Sequence, residues 1–167
     1  VICTVVGVTV ERIAYRPLRQ APPLSVLITA IGVSYFLQSL AQLIFGVNQK
    51  SFPKFIDMSP IKFGELTIKG ETVVTLAVTV LLMFALTLFI NKTKLGKAMR
   101  AVSEDREAAE LMGISVNKTI TLTFAIGSAL ASVAGSFYGL TYTFITPYTG
   151  SMPGIKAFVA AVFGGIG

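Results

Sequence analysis

The chain has 167 residues, of which 53% are hydrophobic and only 13% are charged, and its net charge is +6. An ordinary soluble domain carries about 25% charged residues, so this composition argues against that class and indicates a membrane protein. Nucleic-acid binding would need cations clustered on a soluble surface, whereas here they lie between apolar segments. We therefore expect the lipid bilayer as a partner and no nucleic acid.

Catalytic chemistry has few residues to build on. The sequence has no histidine and one cysteine, Cys3, so it offers no disulfide, no Cys/His metal site and no histidine acid–base pair. It also contains no GK[ST] phosphate-binding loop, so ATP hydrolysis is not expected in this chain. We predict a non-catalytic protein with no metal and no cofactor.

Five apolar stretches follow one another along the chain. Residues 1–10 predict the end of one span, 24–46, 72–90 and 119–144 predict three complete spans, and 156–167 predict the start of another. The uncharged segment 72–90 would be roughly 28 Å long as a helix, close to the hydrocarbon thickness of about 30 Å. Because the sequence starts without methionine and stops inside an apolar run, we expect an internal fragment of a longer protein.

Gln38 and Gln42 form a polar stripe on the first complete span, one helical turn apart and near Tyr35 and Ser39. Polar groups in hydrocarbon are costly unless they are paired, so the stripe should face protein or water rather than lipid. A place on a translocation path and a role in interhelical bonding are both open. None of the three complete spans contains Asp, Glu, Lys, Arg or His, which argues against a proton-coupled or sodium-coupled transporter.

The loops predict the orientation. Basic residues concentrate in the first loop and in the third loop, 91–118: Arg12, Arg16, Arg19, Lys92, Lys94, Lys97, Arg100, Arg106 and Lys118. The second loop, 47–71, has four lysines. The positive-inside rule places the first and third loops in the cytoplasm and the second loop outside.

The outer loop contains a candidate hairpin. Ile61 and Phe63, then Leu66 and Ile68, alternate with polar residues on either side of Gly64. This pattern predicts two short paired strands. An irregular loop is the alternative.

The third loop contains "REAAELMG", residues 106–113, a charged stretch between two spans. Ser103 is a candidate N-cap, Glu104 and Asp105 would lie in the first turn, and Gly113 would end the helix. The prediction is a helix of about nine residues, which is too short to be stable alone in water.

The helix needs a surface to pack against. Ala108, Leu111 and Met112 share one predicted face, and Arg106 and Glu110 lie on a more polar side. Packing on the chain's own helix ends and docking into a partner's groove both explain this arrangement.

The third span has a face of small residues. Gly127, Ala131, Gly135 and Gly139 recur every four residues, and Ser128, Ser132 and Ser136 form a second row. Such a face lets another helix approach closely, with the serines available for hydrogen bonds. Helix packing is the simpler interpretation, and sliding of helices between transport states is the alternative.

Glu107, Ala108 and Ala109, followed after three residues by Gly113, resemble the EAA-xxx-G core of the cytoplasmic loop in permease subunits of bacterial ABC importers. In that family the loop forms a coupling helix that fits a cleft on the ATP-binding subunit. The resemblance implies a coupling site made of these residues: Ser103, Glu104, Arg106, Glu107, Ala108, Ala109, Glu110 and Gly113.

Three long segments resemble one branch of this family, the permeases for branched-chain amino acids. They are "ERIAYRPLRQAPPLSVLITAIGVSYFLQ", "TKLGKAMRAVSEDREAAELMGISVNK" and "YGLTYTFITPYTGSMPGIKAFVAAVFGGIG". The resemblance implies an all-α, polytopic transmembrane bundle in the bacterial inner membrane. It also implies a second permease subunit, ATP-binding subunits and an extracytoplasmic binding protein. The alternatives are a sugar or nucleoside permease and a structural membrane subunit without a transport path.

Overall fold

The computed structural model describes residues 1–19, 21–51, 61–63, 66–68, 70–142 and 144–164. Seven α-helices occur in this part of the chain: α1 (Ile2–Val10), α2 (Pro23–Phe45), α3 (Gly70–Lys92), α4 (Lys94–Glu104), α5 (Arg106–Leu111), α6 (Val116–Thr141) and α7 (Ser151–Phe163). A π-helix, Glu11–Tyr15, continues α1. Four short strands complete the elements: β1 (Lys50–Ser51), β2 (Ile61–Phe63), β3 (Leu66–Ile68) and β4 (Phe144–Ile145).

Three of the helices are long and apolar enough to cross a membrane, namely α2, α3 and α6. Helices α2 and α3 expose most of their large apolar side chains, such as Leu27 and Leu81, as expected for surfaces that face lipid or other membrane helices. In α6 most large apolar side chains are half-buried, and Val133 is exposed. The prediction of an all-helical, polytopic membrane protein is therefore confirmed.

The helix bounds differ from the predicted spans mainly at the ends of α6 and α7. Helix α6 begins at Val116, before predicted residue 119, and ends at Thr141, because Tyr142 already has the extended backbone angles φ −109° and ψ 116°. Helix α7 begins at Ser151, whereas the sequence indicated 156, and the predicted residues 165–167 lie outside the described part. Proline at the third position of α7 is compatible with an early start, because the first turn of a helix does not need its N–H groups.

Helix α6 lies at the centre of the contacts and touches α1, α3, α4 and α5 as well as the π-helix. It comes close to α1 at Gly7, where an added Cβ would lie 1.7 Å from Ser128 Oγ. The two helices can therefore meet only because residue 7 has no side chain.

Two antiparallel strand pairs lie at one end of the bundle. Strand β2 pairs with β3 in the register Ile61↔Ile68 and Phe63↔Leu66, so the predicted hairpin is confirmed and the irregular-loop alternative is wrong there. Gly64, the predicted turn residue, lies outside the described residues. Strand β1 pairs with β4 and joins the segment after α2 to the segment after α6, which the sequence did not indicate.

The other end of the bundle carries the nine basic residues of the first and third loops, and we call it the basic end. In the described part of the chain, the buried hydrophobic residues are Val102 of α4 and Ala109 of α5, and both lie at this end. The buried apolar side chains of the described residues thus lie in the candidate coupling segment or just before it.

Candidate coupling site

Helix α4 connects the end of α3 to the candidate coupling segment. Thr93 caps it, because its side chain accepts a hydrogen bond from the backbone N–H of Gly96 at 3.0 Å. A Cβ added to Gly96 would lie 2.3 Å from the carbonyl oxygen of Ile90, so this tight turn requires glycine. This helix is a correction to the sequence-based prediction, in which residues 91–102 were loop.

Asp105, and not Ser103, is the N-cap of α5. Its Oδ1 accepts hydrogen bonds from the N–H groups of Glu107 at 2.9 Å and Ala108 at 3.1 Å. Ser103 as the N-cap and Glu104 in the first turn of α5 were wrong predictions, since both residues lie in the last turn of α4 and the Ser103 hydroxyl donates to the carbonyl of Arg100. Their place in a coupling site stays a prediction. Helix α5 is therefore shorter than predicted and has six residues.

Gly113 ends α5, as predicted. Its φ of +81° lies in the left-handed region that favours glycine. The N–H of Gly113 bonds to the carbonyl of Glu110 at 2.9 Å, and the N–H of Ile114 bonds to that of Ala109 at 3.0 Å. These two bonds form a Schellman motif, which turns the chain sharply toward α6.

The two alanines of the EAA motif lie in different environments. Ala109 is only 4% exposed, in a helix that contacts α4 and α6, whereas Ala108 is exposed. The hypothesis that both alanines enter a partner's cleft therefore does not fit Ala109. Leu111 and Met112 are 89% and 82% exposed, so the accessible apolar surface of α5 comprises these two residues and Ala108.

The charged residues of α5 also differ in their contacts. Glu107 and Glu110 are exposed, and Glu107 lies in the first turn, where its negative charge suits the helix dipole. Arg106 Nη1 donates to the backbone carbonyl of Arg19 at 3.1 Å. Arg106 thus ties α5 to the first loop of its own chain.

Glu11 is the largest fully buried side chain in the described part, at 1% exposure. Arg19 Nη2 donates to its Oε1 in an ion pair, and Thr121 Oγ1 of α6 lies 2.9 Å from its Oε2. Sequence reasoning missed this cluster. The available signal was a carboxylate at the end of an apolar run, followed eight positions later by an arginine.

Tyr15 closes the π-helix beside the same part of α6. Its ring packs against Phe124 with a centroid separation of 5.0 Å. Burial raises the pKa of the Tyr15 hydroxyl, so the side chain is neutral in the physiological pH range. The contact adds an apolar attachment between the π-helix and α6 next to the polar one at Glu11.

In the predicted polar stripe on α2, Gln38 forms a hydrogen bond within its own helix. Gln38 Nε2 donates to Ser34 Oγ at 3.2 Å, and both Gln38 and Gln42 are partly exposed. A role for these two residues on a translocation path stays a prediction.

The small residues of α6 contribute unequally to packing. Gly139 is buried, but among the described residues no atom comes within 4 Å of a Cβ built at Gly127 or Gly135, and Ala131 is exposed. Contact with α1 involves Ser128, in the neighbouring row, and Gly7, whose role was not predicted from the sequence. Packing of Gly127, Ala131 and Gly135 against a further helix stays a prediction.

Comparison with known proteins gives a consistent result along the whole chain. The profile of the family described as "Branched-chain amino acid transport system / permease component" matches residues 1–167. The chain is 44% identical to the high-affinity branched-chain amino acid transport system permease protein BraD of Pseudomonas aeruginosa, with 100% of this chain and 56% of the relative covered. It is 43% identical to the corresponding LivH protein of Escherichia coli K12, with the same coverage.

A more distant relative is the probable branched-chain amino acid transport permease protein LivH of Methanocaldococcus jannaschii. It is 33% identical over 84% of this chain and 42% of the relative. The chain spans about half the length of the curated relatives that it matches. No solved structure matches it. With its three membrane-length helices, the chain is a multi-pass membrane protein that belongs to the permease-component family of branched-chain amino acid transport systems.

Proposed function

We propose that this chain forms part of the transmembrane permease subunit of an ABC importer for branched-chain amino acids. Family membership along residues 1–167 supports this function, as do three helices of membrane length. The observation that carries the proposal is α5, a six-residue helix that is held at both ends. It presents an exposed apolar tip, which consists of Leu111 and the following Met112.

The proposed partner of α5 is an ATP-binding subunit. Six residues cannot form a stable helix alone, and here the Asp105 cap, the Schellman turn at Gly113 and the buried Ala109 hold them in place. Leu111 and Met112 remain available, with Glu107 and Glu110 as a charged rim. An apolar centre with a polar rim is the usual composition of a protein interface.

The complete transporter contains, in this proposal, a second permease subunit, ATP-binding subunits that hydrolyse ATP, and an extracytoplasmic substrate-binding protein. The chain itself supplies no catalytic group. It lies in a bacterial inner membrane with the basic end in the cytoplasm, as the positive-inside rule indicates. The strand pairs β1–β4 and β2–β3 then face the side from which the binding protein delivers substrate.

Uptake by the reconstituted transporter tests this function. The full-length permease, its paired permease and the ATP-binding subunits are placed in proteoliposomes, and labelled leucine is supplied with the binding protein. We expect ATP-dependent uptake that unlabelled isoleucine and valine inhibit and that ribose and adenosine do not. The control is an ATP-binding subunit whose phosphate-binding lysine is changed to alanine, which should abolish uptake.

Two results would contradict the proposal. Uptake of a sugar or nucleoside instead of leucine would support the alternative permease class. A complex that assembles and hydrolyses ATP but moves none of these substrates would support a structural subunit.

A further inference from the structure

The Glu11 carboxylate is a polar group that the surrounding fold must hold in place. It lies at 1% exposure where α1 passes into the π-helix. A buried carboxylate is tolerated when it is paired and hydrogen-bonded. Each of its two oxygens has a partner, Arg19 for Oε1 and Thr121 for Oε2.

Thr121 attaches α6 to the Glu11 carboxylate. Its hydroxyl has one proton, which can go to Glu11 Oε2 at 2.9 Å or to the Asn117 carbonyl of its own helix at 3.0 Å. A charged carboxylate is the stronger acceptor. The hydroxyl therefore favours the bond that joins α6 to the π-helix.

The π-helix places Glu11 at this junction. Its defining bond runs from the N–H of Arg16 to the carbonyl of Glu11 at 2.9 Å, so the backbone and the side chain of Glu11 are both engaged. Such wide turns occur frequently at functional sites. Here the turn brings the first loop back across the end of α1, so that Arg19 reaches a carboxylate eight positions earlier.

The same loop holds α5. Arg19 uses its side chain for Glu11 and its backbone carbonyl for Arg106 Nη1, 3.1 Å away. Thr121, Glu11, Arg19 and Arg106 thus form a continuous series of polar contacts from α6, through the end of α1 and the first loop, to α5. We call these four residues the Glu11 linkage.

We propose that Glu11 is a positioning residue that fixes α5 relative to α1 and α6 through the Glu11 linkage, so that movement of α5 is transmitted to α1 as well as to α6. This inference rests on the proposed function, in which α5 receives movement from an ATP-binding subunit. Without the linkage, α5 keeps its contacts with α4 and α6 but loses its polar connection to the first loop and α1. The transporter then hydrolyses ATP with less substrate moved.

The test uses mild changes at the two ends of the linkage, because removing buried Glu11 itself could prevent folding. Arg106→Ala and Thr121→Val are made singly and together in the full-length permease within the complete transporter. Thr121→Ser is the conservative variant, since it keeps the hydroxyl. Arg12→Ala is the matched control, because Arg12 is an exposed cation beside Glu11 in the same π-helix.

The first measurement is the amount of leucine transported per ATP hydrolysed. We expect each single variant to lower this ratio by about fivefold or more, the lower end of typical coupling between sites. The double variant should lower it no further, because both changes interrupt one connection. Thr121→Ser and Arg12→Ala should keep the wild-type ratio.

The second measurement is amide hydrogen exchange in α5, which needs no transport. Thr121→Val lies on another helix, yet it should accelerate exchange at residues 107–111, whereas Thr121→Ser should not. Unchanged α5 exchange in Thr121→Val overturns the positioning role, whether or not transport is observed. A wild-type ratio of leucine to ATP in all variants overturns it as well. So does a double variant whose ratio falls by the sum of the two single losses, when each loss simply parallels the fall in melting temperature. Failure of the wild-type complex to transport leucine contradicts the proposed function instead.

Discussion

Asp105 determines where α5 begins. It occupies the extended conformation of an N-cap, with φ −148° and ψ 114°, and its carboxylate accepts two of the N–H groups that the first turn leaves free. Ser103 lies two residues earlier, and its hydroxyl bonds back to Arg100 inside α4. The Asp105 cap thus marks the boundary between α4 and α5.

Asp105→Ala is therefore expected to loosen α5. Losing a helix cap costs about 0.5–2 kcal/mol, and hydrogen exchange at residues 106–111 should accelerate accordingly. Ser103→Ala is the matched control and should leave exchange in α5 unchanged. The opposite pattern, with Ser103→Ala the more disruptive change, would show that the cap is assigned to the wrong residue.

Gly7 is the residue that lets α1 approach α6. Because a Cβ there would overlap Ser128 Oγ, Gly7→Ala should destabilise the folded chain by about 1–3 kcal/mol, as overpacking does. Ser128→Gly in the same chain removes the overlapping atoms and should restore much of the melting temperature in detergent.

Gly32→Ala in α2 is the control for this pair. Within the described part of the chain, no atom comes within 4 Å of a Cβ added there, so its melting temperature should not fall. Equal losses for Gly7→Ala and Gly32→Ala would show that α1 and α6 are farther apart than described here.

Helix α5 divides into a face that the chain covers and a face that it leaves exposed. The adjacent residues Ala109 and Ala108 represent the two faces, and Leu111 and Met112 extend the exposed one. Packing on the chain itself and docking on a partner are therefore not exclusive for this helix. Each explanation applies to different side chains.

Replacing each alanine with tryptophan distinguishes packing on the chain itself from docking on a partner. Ala108→Trp should leave membrane abundance and melting temperature close to wild type but weaken co-purification of the ATP-binding subunits. Ala109→Trp should lower abundance and stability, because a filled site has no room for the added volume. Normal assembly and coupled transport in Ala108→Trp would contradict a docking role for the exposed face.

Sequence periodicity was sufficient to predict some helices and strands but not others. The uncharged run 72–90 indicated α3, and the alternation around Gly64 indicated the β2–β3 pair, because both signals are local. Helix α4 was missed because its charged face dominates a short segment between two spans. The Glu11 cluster was missed because Glu11 and Thr121 are 110 positions apart, and their contact depends on how α1 and α6 pack.

At the scale of the whole molecule, charge separates the two ends of the bundle. The basic end contains the Glu11 linkage, α4 and α5, whereas the opposite end contains the strand pairs. This asymmetry predicts the orientation in the membrane. The exposed residues Ser103 and Ser51 report on opposite ends.

Cysteine labelling in intact cells tests the orientation. In a background with Cys3→Ser, which removes the exposed native thiol, Ser51→Cys should react with an impermeant thiol reagent. Ser103→Cys should react only after the membrane is permeabilised. Labelling of Ser103→Cys in intact cells, with protection of Ser51→Cys, would reverse the orientation.

The account depends most on contact between the tip of α5 and an ATP-binding subunit, and site-specific photo-crosslinking measures that contact directly. A photoreactive phenylalanine analogue at Leu111, which is 89% exposed, is compared with the same analogue at Val47, which is 68% exposed at the opposite end. We predict that the Leu111 probe forms an adduct with the ATP-binding subunit in the assembled transporter and that the Val47 probe does not. An assembled complex in which the Leu111 probe captures only its own chain or lipid would contradict the account.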